Sequence, residues 1–472
     1  MSFFGSMTTA ITGISAQSSA LGYIADNIAN SQTTGFKRTD ASFYDIVTAS
    51  SSTFSQPGAV IAKPSYTNNV QGSVDASQVS TNMAINGDGF FIVSQRVATA
   101  DNNPVFQNVN YYTRRGDFTM DSNGYLVNGG GYYLQGLAID PVTNNPIGGT
   151  PTVMQVNNSF LNAKATATIT YTANLPSYPQ TANSQTTVPG SELLETAAEA
   201  ASATPPFHNN PAGTGAGNGI VQAQDSQAFL DRSVTGGAIT AYDAQGNPVN
   251  VQLRWAKTDN AAGDGGTTAG DTWHLFYQSD SNATGTAAQW TDVGQAYTFN
   301  AQGQMSPAVT STTISNLTVN NVNLGNVTLY HGAGNVTEFA NPNGTVTVNS
   351  INQDGYASGQ LNSVSVSTNG RVTGTYTNGK TIDLFQISLA KFNNPDGLQK
   401  MSGTAFAATQ ESGQPIVGGA TGSVTPQALE ASNVDLSDEF SKLIIAQQAY
   451  TAGTRIITTS DQLIQETLNM KH

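Results

Sequence analysis

Apolar rows at helical spacing mark both ends of this chain, with most of its 472 residues lying between them. Near the N-terminus, Met7, Ile11, Ile14, Ser18, Leu21, Ala25 and Ile28 step by threes and fours, which places them on one face of a helix. Leu436, Phe440, Leu443, Gln447, Tyr450, Thr454, Ile457, Asp461, Ile464 and Leu468 keep the same step through a segment able to form a helix of roughly 50 Å. The expectation is an intramolecular coiled-coil seam, Ile11, Ile14, Leu21 and Ile28 meeting Leu436, Phe440, Leu443, Tyr450, Ile457, Ile464 and Leu468.

One partner is not enough for the C-terminal helix. At about 100° per residue, Ile445, Ala449, Ile456 and Leu463 fall on a second row nearly opposite the first, so these four are expected to pack between subunits. The N-terminal segment contains Gly13 and Gly22, each costing about 1 kcal/mol relative to Ala, and is marginal as a helix by itself. Ends of this kind are expected to gain their order when copies of the chain assemble.

Only 10% of the residues are charged, so the surface is polar but mostly neutral. The balance of 17 basic against 31 acidic residues gives a net charge of −14, broken only by small basic groups such as Lys37-Arg38 and Arg114-Arg115. Nucleic acid is excluded as a partner, because phosphate binding needs concentrated Lys and Arg. The absence of cysteine excludes disulfides, thiolate metal sites and thiol catalysis, and suits an extracellular setting. The opening Met1 to Ser6 lacks a basic region and an apolar run, so no cleaved secretory signal is expected. Runs such as Phe90 to Val93 and Leu443 to Ala446 are far below the roughly 20 residues of a membrane span, and no membrane insertion is expected.

The interior changes to period 2, an all-β pattern. Met83 to Val93 reads as a hairpin turning at Asn86-Gly87 and Asp88-Gly89, Tyr112 to Asn128 as a second turning at Asn123-Gly124, and Ala238 to Trp255 as a third around Gln245 to Pro248. From Gln353 to Gly413 further strands follow, with turns at Asn369-Gly370 and Asn378-Gly379. Residues 176–220, with six prolines among Gly, Ala, Ser and Thr, read as a loop or mobile insertion with one short helix possible at Glu192 to Ala201.

No catalytic set emerges. His208, His274, His331 and His472 lack metal-ligand spacing and read as surface or loop histidines. Gly215 to Gly219 follows a Pro-rich loop rather than a strand, and Asp259, Asp264 and Asp271 lack the spacing of a calcium loop. Catalytic, cofactor-binding and metal residues are therefore expected to be none, and the chain is expected not to be an enzyme.

Two long segments resemble a known family. NIANSQTTGFKR, from Asn27 to Arg38, resembles the signature after the N-terminal helix of bacterial flagellar rod and hook proteins, and Ala431 to Met470 is similar to the C-terminal helix of the same axial family. MAINGDGFFIV, YTRRGDFTMDSNGYLVN with GYYLQG, and the Gln353 to Gly413 block resemble the family's inner β-domain. A large β-insertion with a segment such as AITAYDAQGNPVNVQLRWAK is similar to that of hook-type rather than rod-type members.

The resemblance implies an α+β fold with nested β-domains. A core helix at 1–30 would pair with 433–472, 31–75 would connect, 76–160 and 345–432 would form an inner β-domain, and 161–344 an outer one. It implies a structural subunit of a curved, self-assembling tube, a universal joint that carries torque from rod to filament and encloses the export channel. Ser441, Gln448, Arg455, Thr459, Gln462 and Glu466, a polar row between the two apolar ones, would line that channel. Implied partners are further copies of the chain, the distal rod protein, the hook cap, the hook-filament junction protein and the flagellar type III export apparatus. The implied location is extracellular, in the flagellum. Distal rod and junction members of the family are the nearer alternatives. A secreted β-rich adhesin is the remoter one, and no repeats or anchor point to it.

Overall fold

Period-3.6 sequence becomes helix at the two ends, Phe3–Ala29 and Leu436–Asn469, and period-2 sequence becomes sheet through the middle. The computed structural model describes residues 3–470 apart from 52–53, 101–102, 142, 157–159, 210, 212–217, 262–265, 267–268 and 419–421. The chain divides into two compact units, Met1–Ser159 with Leu361–His472, and Phe160–Gln360. The second is an insertion in the first. Residues 345–360, expected in the inner domain, belong to the inserted unit, because strand Thr347–Gln353 pairs with Thr168–Leu175 rather than with any later strand.

In the first unit, strand Phe90–Ala100 is bonded to Tyr132–Ala138, Tyr111–Thr113 and Leu389–Lys391. Its alternate residues enter two different cores. Phe91 and Val93 pack with Phe118, Leu126, Leu134 and Val372, while Phe90 and Ile92 pack with Tyr112, Phe392, Leu398 and Phe406. Burial on both faces explains why this strand reads as an uninterrupted apolar run.

The hairpin expected at Met83 to Val93 does not form. Strand Met83–Asn86 pairs with Ser423–Pro426, and the chain then swings into another sheet through Gly87 (φ +95°) and Gly89 (φ +124°). The same turn signal that closes a hairpin here joins two sheets. The hairpin around Asn123-Gly124 does form, with Phe118 opposite Asn128 and Met120 opposite Leu126. The Asp121 carboxylate accepts from the N–H groups of Asn123 and Tyr125 and so shapes the turn.

The inserted unit contains two five-stranded sheets whose apolar residues share one core. One sheet holds the expected hairpin, Val234–Tyr242 with Pro248–Asp259. Between the sheets, the Tyr171 hydroxyl accepts from the Trp255 indole N–H (2.9 Å) and donates to Gly236 O (2.9 Å). His331, expected at the surface, is buried within hydrogen-bond reach of the Tyr297 hydroxyl (3.1 Å) and Tyr171 O (3.2 Å), and burial lowers its pKa. His274 is partly buried on Asp292 (2.7 Å), His208 is exposed, and His472 lies outside the described residues.

The segment 176–220 is also more ordered than its composition suggests. Leu194 and Phe207 are buried in a cluster with Phe229, Phe276 and Trp290, and Leu193 is buried as well. Its helix is one short turn, Ala197–Ala200, closed by a reciprocal Thr196–Glu199 cap that Arg232 clamps at 2.8 Å. Three apolar residues spaced irregularly among prolines carry no periodic signal, yet they are enough to seat the segment.

Replacing Tyr171 by Phe leaves the Trp255 N–H and Gly236 O without their buried partner. It is expected to cost about 1–3 kcal/mol in urea unfolding, against a near-neutral control, Tyr330→Phe, at the end of strand Val322–Tyr330, where the side chain is exposed.

Candidate assembly site

The signature segment Asn27 to Arg38 forms the junction between the two terminal helices and the inner β-domain. Asn27 sits fully buried near the end of the N-terminal helix. Its amide donates to Thr39 O (2.9 Å) and to Glu439 Oε2 (3.0 Å), and its carbonyl accepts from Thr39 N (2.9 Å). Glu439, fully buried at the start of the C-terminal helix, is also bonded to Lys442 (2.8 Å), which reaches Asp40 at 2.7 Å. Asp435 accepts from the N–H groups of Ser437 and Asp438 and caps that helix.

Gly35 has φ +67°, and a Cβ there would lie 2.7 Å from Arg115 N, so no other residue fits. Next to it, Lys37 and Glu430 form an ion pair with both side chains fully buried. Arg114 joins on the other carboxylate oxygen at 3.2 Å and donates to Gly87 O at 2.7 Å. Gly72 N donates to Glu430 Oε1 (3.1 Å), while Lys37 also donates to Val70 O (2.5 Å). Burial lowers the Lys37 pKa, with Glu430 opposing it. One carboxylate thus ties together the signature, the connecting segment, the β-domain and the strand leading to the C-terminal helix.

Lys400 closes the other side, 4.8 Å over the Phe36 ring and 5.6 Å over Tyr66, donating to Lys37 O and Thr39 Oγ1 at 2.6 Å each. Burial pulls its pKa down to about 8, with Asp26 opposing.

The helices run antiparallel, since Asn27 meets Glu439 whereas Ile14 meets Gly453. Their buried rows differ from the expected ones. On the N-terminal helix they are Ala16, Ala20, Ile24 and Asn27, and on the C-terminal helix Glu439, Ala446 and Ser460, which with Gly453 recur every seven residues. Small residues let the backbones approach; a Cβ on Gly453 would stand 2.7 Å from Ile14 Cγ1.

Of the residues expected to pair within the chain, Ile14, Leu21, Ile28, Leu443, Ile457 and Ile464 are half-buried. Ile11, Leu436, Phe440 and Tyr450 are corrected: they stay exposed, Phe440 at 50%, because the seam is narrow and these large side chains flank it. The side chain of Leu468 lies outside the described residues. Ile445, Ile456 and Leu463 are exposed, Ile445 at 66%, and Ala449 is half-buried. Ser441, Gln448, Arg455, Thr459, Gln462 and Glu466 are all exposed. Beside the N-terminal helix, the hairpin Thr39–Ser51 with Phe54–Tyr66 docks through Thr9 Oγ1 donating to Gly58 O (2.9 Å) and Val60 N donating to Thr12 Oγ1 (3.3 Å). It also presents exposed Phe43, Tyr44 and Ile61.

Four family models match along the chain in order. They are flagellar basal body rod protein at residues 7–37, flagellar hook protein FlgE/F/G D1 domain at 84–170, flagellar basal body protein FlaE D2 domain at 231–356, and flagellar basal body rod FlgEFG protein C-terminal at 425–470. The flagellar hook protein FlgE of Caulobacter vibrioides is 28% identical, with 100% of both chains covered. The chain belongs to the flagellar hook protein family. The Salmonella typhimurium and Escherichia coli hook proteins are 29% and 28% identical, covering 99% and 98% of this chain and 100% and 99% of theirs.

The first and last family segments meet at Asn27, Gly35, Lys37, Glu430 and Glu439, so the hook-family signature is a tertiary junction as much as a local motif. The residues missed in sequence are Glu430, Arg114, Glu439 and Lys400. In a chain with so few charges, a charged residue inside a long apolar or signature segment was the available signal.

Glu430→Gln removes the charge that two buried cations share, and is expected to cost about 3–5 kcal/mol in denaturant unfolding. Lys400 holds its proton less tightly folded, at about 8, than unfolded, near 10.5, so its protonation opposes folding. Stability is expected to rise with pH across that window, and the rise to flatten in Lys400→Met when unfolding curves are compared.

Proposed function

We propose that this chain is the structural subunit of the flagellar hook, a curved tube of identical subunits that acts as a universal joint between rod and filament. The family is a structural one rather than a family of enzymes. The observation that carries the reading is the C-terminal helix. The N-terminal helix covers a row of small residues, while Ile445, Ile456 and Leu463 beside that row stay exposed. Contiguous exposed apolar surface of this kind calls for protein partners, and a homopolymer supplies them.

In the polymer the two terminal helices form a coiled-coil core layer, with the exposed Phe440, Leu436 and Tyr450 joining Ile445, Ile456 and Leu463 in contacts between copies. The polar row from Ser441 to Glu466, in which Arg455 and Glu466 are the two charged members, faces the central channel, where such sparsely charged walls do not grip passing unfolded chains. The exposed hairpin residues Phe43, Tyr44 and Ile61 add a contact to a neighbouring subunit. Charge-poor β-domain surfaces suit contacts that slide as the inside of the bend compresses and the outside stretches, because few ion pairs have to break.

The chain leaves the cell unfolded through the flagellar type III apparatus, and its glycine-containing N-terminal helix orders at the growing tip. The hook cap, distal rod protein and junction protein are its other partners, outside the cell.

Purified protein under polymerising conditions is expected to give curved tubes by negative-stain imaging. Ile456→Ser with Leu463→Ser is expected to abolish them while circular dichroism of the β-domains is unchanged. Straight short rods from the parent chain, or tubes of normal yield from the double variant, would overturn the reading.

A further inference from the structure

The inserted unit buries a lysine and a glutamate, with a half-buried aspartate beside them, where its two sheets face one another. Lys257 lies on strand Pro248–Asp259, Asp271 opens the neighbouring antiparallel strand, and Glu338 comes from Val336–Glu338 in the other sheet. Lys257 Nζ is 2.7 Å from Asp271 Oδ2 and 3.9 Å from Glu338 Oε1. The Lys257 and Glu338 side chains are each only 4% exposed, and Trp273 is fully buried beside them, donating its indole N–H to Glu338 Oε1 at 2.7 Å. Asp271 beside Glu338 favours the protonated form of the Glu338 carboxyl. Nothing in the assembly of the terminal helices uses this cluster.

We infer that Lys257 and Asp271 condense to an intramolecular isopeptide bond, with Glu338 as the proton donor and acceptor. The geometry suits each step. The Lys257 ammonium passes one proton to Asp271 across the 2.7 Å contact, leaving a neutral amine facing a carboxylic acid. The amine nitrogen attacks Asp271 Cγ as protonated Glu338 donates to the carboxyl oxygen. The tetrahedral adduct then loses Oδ2 as water, and Glu338 recovers its proton from the nitrogen. The balance is amine plus carboxylic acid giving amide plus one water, with no oxidant and no other reagent.

Three features fit that outcome. Burial raises the Glu338 pKa to about 8, with the Trp273 N–H and Lys257 opposing the rise and Asp271 adding to it, so the group holds a proton at neutral pH. Asp271 Oδ1 accepts from Ala261 N at 2.9 Å and keeps that bond as the amide carbonyl. Lys257 Nζ donates to Ser177 O at 2.9 Å and keeps that acceptor as the amide N–H. Condensation also replaces a buried ion pair by a neutral, hydrogen-bonded amide, removing the desolvation penalty of two charges. The product is a covalent rung between adjacent strands of the outer domain, across the connection of residues 260–270.

Intact-mass measurement of the purified full chain tests this. The expected mass is below that of the sequence by one water, with a proteolytic fragment in which tandem mass spectrometry joins Lys257 to Asp271. Lys257→Arg keeps the positive charge but cannot condense in this way and is expected at its full sequence mass, as is Glu338→Gln. Wild-type protein at full sequence mass after prolonged incubation, with the two residues in separate fragments, would overturn the proposal. So would a water loss that persists in Lys257→Arg. A bond that forms unchanged in Glu338→Gln would overturn the role given to Glu338.

Discussion

A single buried carboxylate, that of Glu430, organises the junction on which the terminal helices stand. It faces Lys37 and Arg114 and also receives the Gly72 N–H, so four stretches of chain that are remote in sequence must converge for any of these charges to be satisfied. Charges taken out of water are costly when unpaired, and partial assembly of this set is therefore penalised. Such an arrangement does more for uniqueness than for net stability. It admits one register of signature, connecting segment and β-domain, and the polar node of Asn27, Glu439, Lys442 and Asp40 continues that register into the helices.

The consequence for assembly lies in how the helices pair. Ala16, Ala20 and Ile24 on one helix, and Ala446, Gly453 and Ser460 on the other, keep the seam narrow. A seam built from large residues would have consumed the apolar side chains that a polymer needs. Here Phe440, Ile445, Ile456 and Leu463 remain outside it. The two buried polar nodes set the base of the pair, and the apolar rows above stay exposed. Weak intrinsic helicity, with Gly13 and Gly22 making no close packing contact, matches a segment that gains order from its surroundings.

Much of this was legible along the chain, and the misses have physical causes. The terminal helices follow from spacing alone, and so do the hairpins at Asn123-Gly124 and around Gln245 to Pro248, because their turns and strands are local. At Asn86 to Gly89 the same turn chemistry failed as a guide, since positive φ at two glycines says that the chain bends but not which strand it meets next. The ordered segment 176–220 was hidden because Leu194 and Phe207 pack on side chains farther along the chain rather than on each other's periodicity. His331 looked like a surface residue for the same reason: its partners Tyr171 and Tyr297 come from two other strands.

Sequence by itself determined that this chain has helical ends, a β-rich middle with a large insertion, no thiol chemistry, and a signature shared with flagellar axial proteins. Those are properties of composition, period and contiguous motif, readable one segment at a time. Only the tertiary structure decided which face of each helix is buried, that Lys37, Arg114 and Glu430 share one site, and that Lys257, Asp271 and Glu338 share another. Helical spacing marks several faces of a helix without ranking them. The choice among them depends on side-chain size at the closest approach, as Gly453 against Ile14 shows, and on where scarce charges find partners hundreds of residues away.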